Sequence, residues 1–201
     1  SDLTVAGTSG DYTGTVVTVG GTPVLAGSFT SNSYTQWVNH NSPAPSVTWN
    51  DPLTSSVTGK RYRLTGSTSL TTPVTAPQTS EGTYQKQWLL TFTVKGTAAT
   101  DGDYSGTVVT VGGTPIAAGS FTAHSYTQWV DDNTTAPSVT WNDPLTSSVS
   151  GKRYVLTGST ALTSPVTSAQ ASEGTYKTQY QVTFGQTGIG GDTGTNQVLA
   201  V

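Results

Sequence analysis

The chain has 201 residues, a formal net charge of −3, eight Lys and Arg, and neither cysteine nor methionine. Only 9% of its residues are charged, far below the roughly 25% of an ordinary soluble domain. These figures exclude a cationic nucleic-acid surface, disulfides, cysteine metal sites and thiol chemistry, and no apolar run approaches the ~20 residues needed to span a bilayer.

Taken in chain order, the first ninety or so residues read as short strands separated by turns. GTVVTV (14–19), SYTQWV (33–38), PSVTW (45–49), KRYRLTGST (60–68) and TYQKQWLLTFTV (83–94) alternate apolar and aromatic residues with Thr and Gln. That period of two marks half-buried strands. Gly20-Gly21, Asn50-Asp51-Pro52, Gly59, Gly66 and Glu81-Gly82 punctuate them as turns. No stretch sustains a period of 3.6.

The pattern then begins again. DYTGTVVTVGGTPVLAGSFT from Asp11 returns as DYSGTVVTVGGTPIAAGSFT from Asp103, an offset of 92 residues, and Trp49 and Tyr84 return at the same offset as Trp141 and Tyr176. The offset stays constant, so the repeats Asp11–Phe92 and Asp103–Phe184 carry no insertion relative to each other. Repeats of this length are self-contained domains, unlike the 20–45-residue units of a solenoid. Seven or so strands in about ninety residues is the rhythm of an immunoglobulin-like sandwich, here without its Cys–Trp–Cys pattern.

The blocks GTYKTQYQVTF, GDTGTNQVLAV and GKRYVLTGST resemble immunoglobulin-like tandem repeats of large surface and extracellular filament proteins of archaea and bacteria. The resemblance implies a secreted or cell-surface β-sandwich and supplies no catalytic or ligand-binding residue. In that family the Q-x-T-F strand commonly opens a domain. This phase makes residues 1–82 the first sandwich, lacking its first strand, 83–174 the second, and 175–201 an orphan hairpin or strand. In the opposite phase only 185–201 are left over. The absence of an initiator Met reads as a processed or trimmed start.

The expected fold is therefore all-β: two tandem immunoglobulin-like β-sandwich domains with a C-terminal donor-type strand. Thr195, Asn196, Gln197, Val198, Leu199, Ala200 and Val201 form an apolar run with no Lys or Pro to blunt its edge. They are expected to complete the sheet of a neighbouring subunit, giving a head-to-tail homopolymer in an extracellular, pilus-like filament. The alternative is a fragment of a multidomain adhesin or surface-layer stalk, with cell-surface glycans as partners.

Candidate chemistry is sparse, and neither an enzyme nor a cofactor site is expected. His40 and His124 are not at equivalent repeat positions and neither lies near a nucleophile motif. Asp51, Asp143, Glu81 and Glu173 recur beside turn residues, as turn-capping groups do. Asp101, Asp103, Asp131 and Asp132 offer oxygen ligands without the spacing of a calcium loop. Trp37, Trp129, Trp49 and Trp141 read as core tryptophans, with sugar stacking as the rival role. Lys60 and Lys152 read as solvated edge charges, with an isopeptide crosslink as the rival. Asn133-Thr134-Thr135 is a glycosylation sequon.

Overall fold

The computed structural model describes residues 3–5 and 10–188; the expected connector strand, 195–201, lies outside them. Strands dominate. The first repeat contributes β1 (Leu3–Val5), β2 (Tyr12–Thr13), β3 (Thr15–Val19), β4 (Thr22–Leu25), β5 (Val47–Trp49), β6 (Leu53–Ser55) and β7 (Lys60–Ser67). A long strand, β8 (Gly82–Gly96), and a single helical turn, α1 (Thr97–Asp101), lead onward. The second repeat contributes β9 (Tyr104–Ser105), β10 (Thr107–Val111), β11 (Thr114–Ala117), β12 (Ser125–Asp131), β13 (Val139–Trp141), β14 (Leu145–Ser147), β15 (Lys152–Ser159) and β16 (Gln170–Tyr180).

Each repeat carries a small antiparallel sheet, β4-β3-β5 in the first and β11-β10-β13 in the second. Gly20-Gly21 joins β3 to β4 with φ of 56° and 83°, and Gly112-Gly113 joins β10 to β11 with the same angles. Two successive positive φ values define the hairpin turn whose twist matches its strands, which is why both positions are glycine. The remaining paired strands form one sheet running β2-β6-β7-β8-β16-β15-β14-β9, so a single hydrogen-bonded ladder connects the two repeats.

Two cores form. The first gathers Val16, Val17, Trp49, Leu53, Tyr62 and Tyr84; the second gathers Leu90, Phe92, Val108, Trp141, Tyr154 and Tyr176. β8 serves both. Its Tyr84 belongs to the first core, and Trp88, Leu90, Phe92 and Val94 belong to the second. Alternation along the strand keeps the even-numbered residues inward throughout its apolar half.

The same local devices close each core. The Trp49 indole N–H donates to Ser80 Oγ, which donates to the Thr68 carbonyl; Trp141, Ser172 and Thr160 repeat the relay. The tryptophan ring lies flat against a glycine, since a Cβ on Gly82 would sit 2.7 Å from Trp49 and one on Gly174 2.6 Å from Trp141. Lys60 departs from its expected place on a solvated edge: it is buried, with its ammonium 2.7 Å from Asp11. Lys152 is likewise held, 2.8 Å from Asp101 and 2.9 Å from Asp103. The Tyr62 and Tyr154 hydroxyls donate to Asp11 and Asp103. The lysine stem is long enough to cross the sheet edge and reach these carboxylates, which a position beside a polar turn does not reveal.

Two outcomes are expected. Replacing Gly174 with Ala forces Trp141 to shift and should lower urea-unfolding stability by about 1–3 kcal/mol, the usual cost of overpacking. Hydrogen bonds from Tyr154 and Lys152 hold the Asp103 carboxyl below its usual 3.8, and those from Lys152 and Tyr154 do the same for Asp101. Their contribution is therefore present above that value and lost as pH falls through the lowered one. The Lys152 ammonium is held above its usual 10.5, chiefly by Asp101; its contribution is full below 10.5 and lost only at higher pH. The melting temperature should thus be level from about pH 5 to 9 and fall below about pH 4, with a shallower acid limb in Asp103→Asn.

Candidate functional site

Among the described residues, the difference between the two repeats that defines the site lies in one shared segment. SYTQWV occurs in both, at 33–38 and 125–130. In the second repeat it lies within β12, which pairs antiparallel with β8 from Ser125 opposite Thr93 to Asp131 opposite Gln87. In the first repeat residues 34–39 form no strand, contrary to the expectation from their alternation. The reason is pairing: among the described residues, nothing occupies the place beside them that β8 takes in the second repeat.

What lies there instead is a groove of about 380 Å³, lined by Val19, Tyr34, Val38, Val47, Leu70 and Val74 among others. Their counterparts in the second repeat pack into the core against Leu90 and Phe92 of β8. The groove has a defined end. β1 pairs in parallel with β8, Leu3 opposite Gly82, the position that Val94 takes opposite Gly174 in the second repeat. Trp37, expected in the core, is fully exposed at 102%. Its counterpart Trp129 is partly covered, with the Arg61 guanidinium 4.3 Å from its ring.

The repeat counterpart of the part of β8 that fills this place in the second repeat sits at the other end of the described chain. Tyr180, Val182 and Phe184 are the repeat counterparts of Trp88, Leu90 and Phe92. Where the latter are 8%, 0% and 0% exposed, the former are 70%, 69% and 60% exposed. Residues 181–187 form no strand, but the segment keeps two local features of β8. Gln181 donates its N–H to the Gly151 carbonyl at 2.7 Å, as Leu89 does to Gly59 at 2.9 Å. Gly188 has φ 78°, matching φ 75° at Gly96, where a Cβ would meet the Tyr176 carbonyl at 2.2 Å.

The other candidate residues lie apart from this pair of surfaces or support it. Trp49 and Trp141 are buried core residues. Asp51 and Asp143 accept the N–H of Leu64 and Leu156 at 2.8 and 2.9 Å. Asp101 and Asp103 converge on Lys152, while Asp131 and Asp132 face β7 and β8. The Asn50 side chain donates to the Pro52 carbonyl at 3.3 Å. His124 Nδ1 lies 3.2 Å from the Tyr104 hydroxyl, and His40 lines the groove. Asn133 is exposed in a left-handed turn, φ 62°.

Tyr180, Val182 and Phe184 were overlooked as site residues in the sequence because a terminal alternating strand is indistinguishable from an ordinary edge. The available signal was the repeat offset, which pairs them with the most apolar part of β8. Compared with known proteins, the chain matches no family model, no curated protein and no solved structure.

Equivalent substitutions should therefore have opposite outcomes. Phe92→Ala should cost about 3–5 kcal/mol of stability, as for a buried aromatic. Phe184→Ala should stay within about 0.5 kcal/mol of the parent chain, as for a surface change. Urea unfolding at a concentration where the chain is monomeric measures both.

Proposed function

We propose that the protein is a structural subunit of an extracellular, pilus-like filament, built of immunoglobulin-like β-sandwich domains and assembled head to tail by strand donation. One observation carries the reading. The first repeat has an apolar groove that no described strand covers, and the chain bears, in residues 175–188, a second copy of the segment that fills the same place in the second repeat. Groove and strand lie in different repeats of one chain, so donation from copy to copy is a heterologous contact that propagates into an open fibre. The donor assigned here is the segment from Tyr180 to Gly185; whatever role 195–201 plays lies outside the described residues.

The low charge and the Thr- and Ser-rich composition support an extracellular setting. No helix among the described residues is long and apolar enough to cross a membrane. A second reading, an adhesin or surface-layer stalk that binds glycans, draws on the full exposure of Trp37 beside Gln36, since a bare indole face suits sugar stacking.

The test is assembly of the purified chain, followed by light scattering and negative-stain electron microscopy. Fibres should grow from the parent chain and be absent from a Tyr180→Ser, Val182→Ser, Phe184→Ser variant whose melting temperature is unchanged. Fibres of undiminished length from that variant would sink strand donation. A persistently monomeric parent chain that binds a glycan array through Trp37, with binding lost in Trp37→Ala, would favour the adhesin instead.

A further inference from the structure

If the C-terminal strand seats in the first repeat's groove as β8 seats in the second, every contact at the internal junction has a counterpart between copies. This inference rests on the strand-donation reading and concerns what selects the partner. At the internal junction Asp132 accepts the Trp88 indole N–H at 2.6 Å and lies 2.9 Å from the Lys86 ammonium. Asp131 accepts from Gln87 at 2.8 Å and lies 3.6 Å from Arg63. The repeat offset maps these positions onto the groove and donor strand of two copies.

The two repeats are about three quarters identical, yet these positions change together. Lys86 becomes Thr178 where Asp132 becomes His40, and Arg63 becomes Val155 where Asp131 becomes Asn39. Both cations and both anions disappear as pairs, while Gln87 is retained as Gln179 and Arg61, which stacks on Trp129, as Arg153 opposite Trp37. These two pairs change together, whereas the junction's third ion pair, Lys95–Glu173, becomes Thr187 beside a retained Glu81, and Lys177 replaces Gln85 opposite Val155.

We propose that these pairs form a partner code, charged within a chain and uncharged between copies, which directs the C-terminal strand of a second copy into the first repeat's groove. A C-terminal strand placed in the second repeat's groove would leave Asp132 without its Lys86 partner and Asp131 without Arg63, with Lys177 the one cation on that segment. A β8-type strand placed in the first repeat's groove would strand Lys86 and Arg63 beside His40 and Asn39. Each error is opposed by unpaired charge, the repulsive half of specificity. The code therefore disfavours displacement of β8 from its own domain and keeps the assembly linear.

The code is tested with synthetic peptides of residues 175–188, carrying Thr or Lys at position 178, titrated into the full chain with its own donor strand blocked by the three serine substitutions. The acceptor is either unaltered or Asn39→Asp, His40→Asp; both positions are exposed, and the melting temperature confirms folding. Changing the acceptor to Asp should weaken the Thr178 peptide about tenfold and leave the Thr178→Lys peptide within about threefold of the parent pair, as for a partly buried charge pair. This preference should shrink in high salt. A Lys peptide with no preference for the Asp acceptor overturns the code. Absence of peptide binding to either acceptor overturns strand donation and the code with it. A clear preference in a chain that forms no fibres supports the code and removes the filament.

Discussion

A β-strand carries a donor and an acceptor on every residue, and each must find a partner wherever the strand is shielded from water. In this protein that constraint falls on one element. β8 runs from Gly82 to Gly96, closing the first core with Tyr84 and opening the second with Leu90 and Phe92. Its first half pairs with β7 and β1, its second with β12 and β16. The strand that finishes one repeat is the strand that starts the next, and neither core is complete without it.

A repeat built this way is always one strand ahead of itself. It receives half a strand from before and passes half a strand on. Within the chain the exchange is covalent, and no linker separates the cores because β8 belongs to both. Gly96 sits where β8 passes the Tyr176 backbone, too close for any side chain. Among the described residues the first repeat keeps an apolar groove where the second holds β8, and Tyr180, Val182 and Phe184 stay exposed where their counterparts in β8 are buried. An edge as apolar as Tyr180, Val182 and Phe184 would be an aggregation hazard if any sheet could accept it. The paired substitutions around His40 and Asn39 narrow the choice of acceptor.

Much of this was legible in the residues. Alternation marked most strands, Gly20-Gly21 and its counterpart marked a turn, and the constant offset marked two copies of one unit. Other features resisted. Lys60 beside a polar turn looks solvated, since nothing local indicates that Asp11, far along the chain, lies 2.7 Å away. Trp37 looks like core because its neighbours alternate as core strands do; among the described residues no strand lies beside it as β8 lies beside Trp129, and it is exposed.

The sequence by itself determined that the protein is β-rich, duplicated and poor in charge, because alternation, turn glycines and repeat spacing are local properties that each segment carries wherever it sits. It did not determine which segments become strands. SYTQWV is the same six residues at 33–38 and 125–130, yet only the second forms a strand. The difference lies in what runs alongside. β8 supplies Leu90 and Phe92 and the facing backbone groups to the second copy, and the first copy has no such neighbour among the described residues. A strand is made by pairing, and pairing is a property of two segments, so only the tertiary structure could decide it.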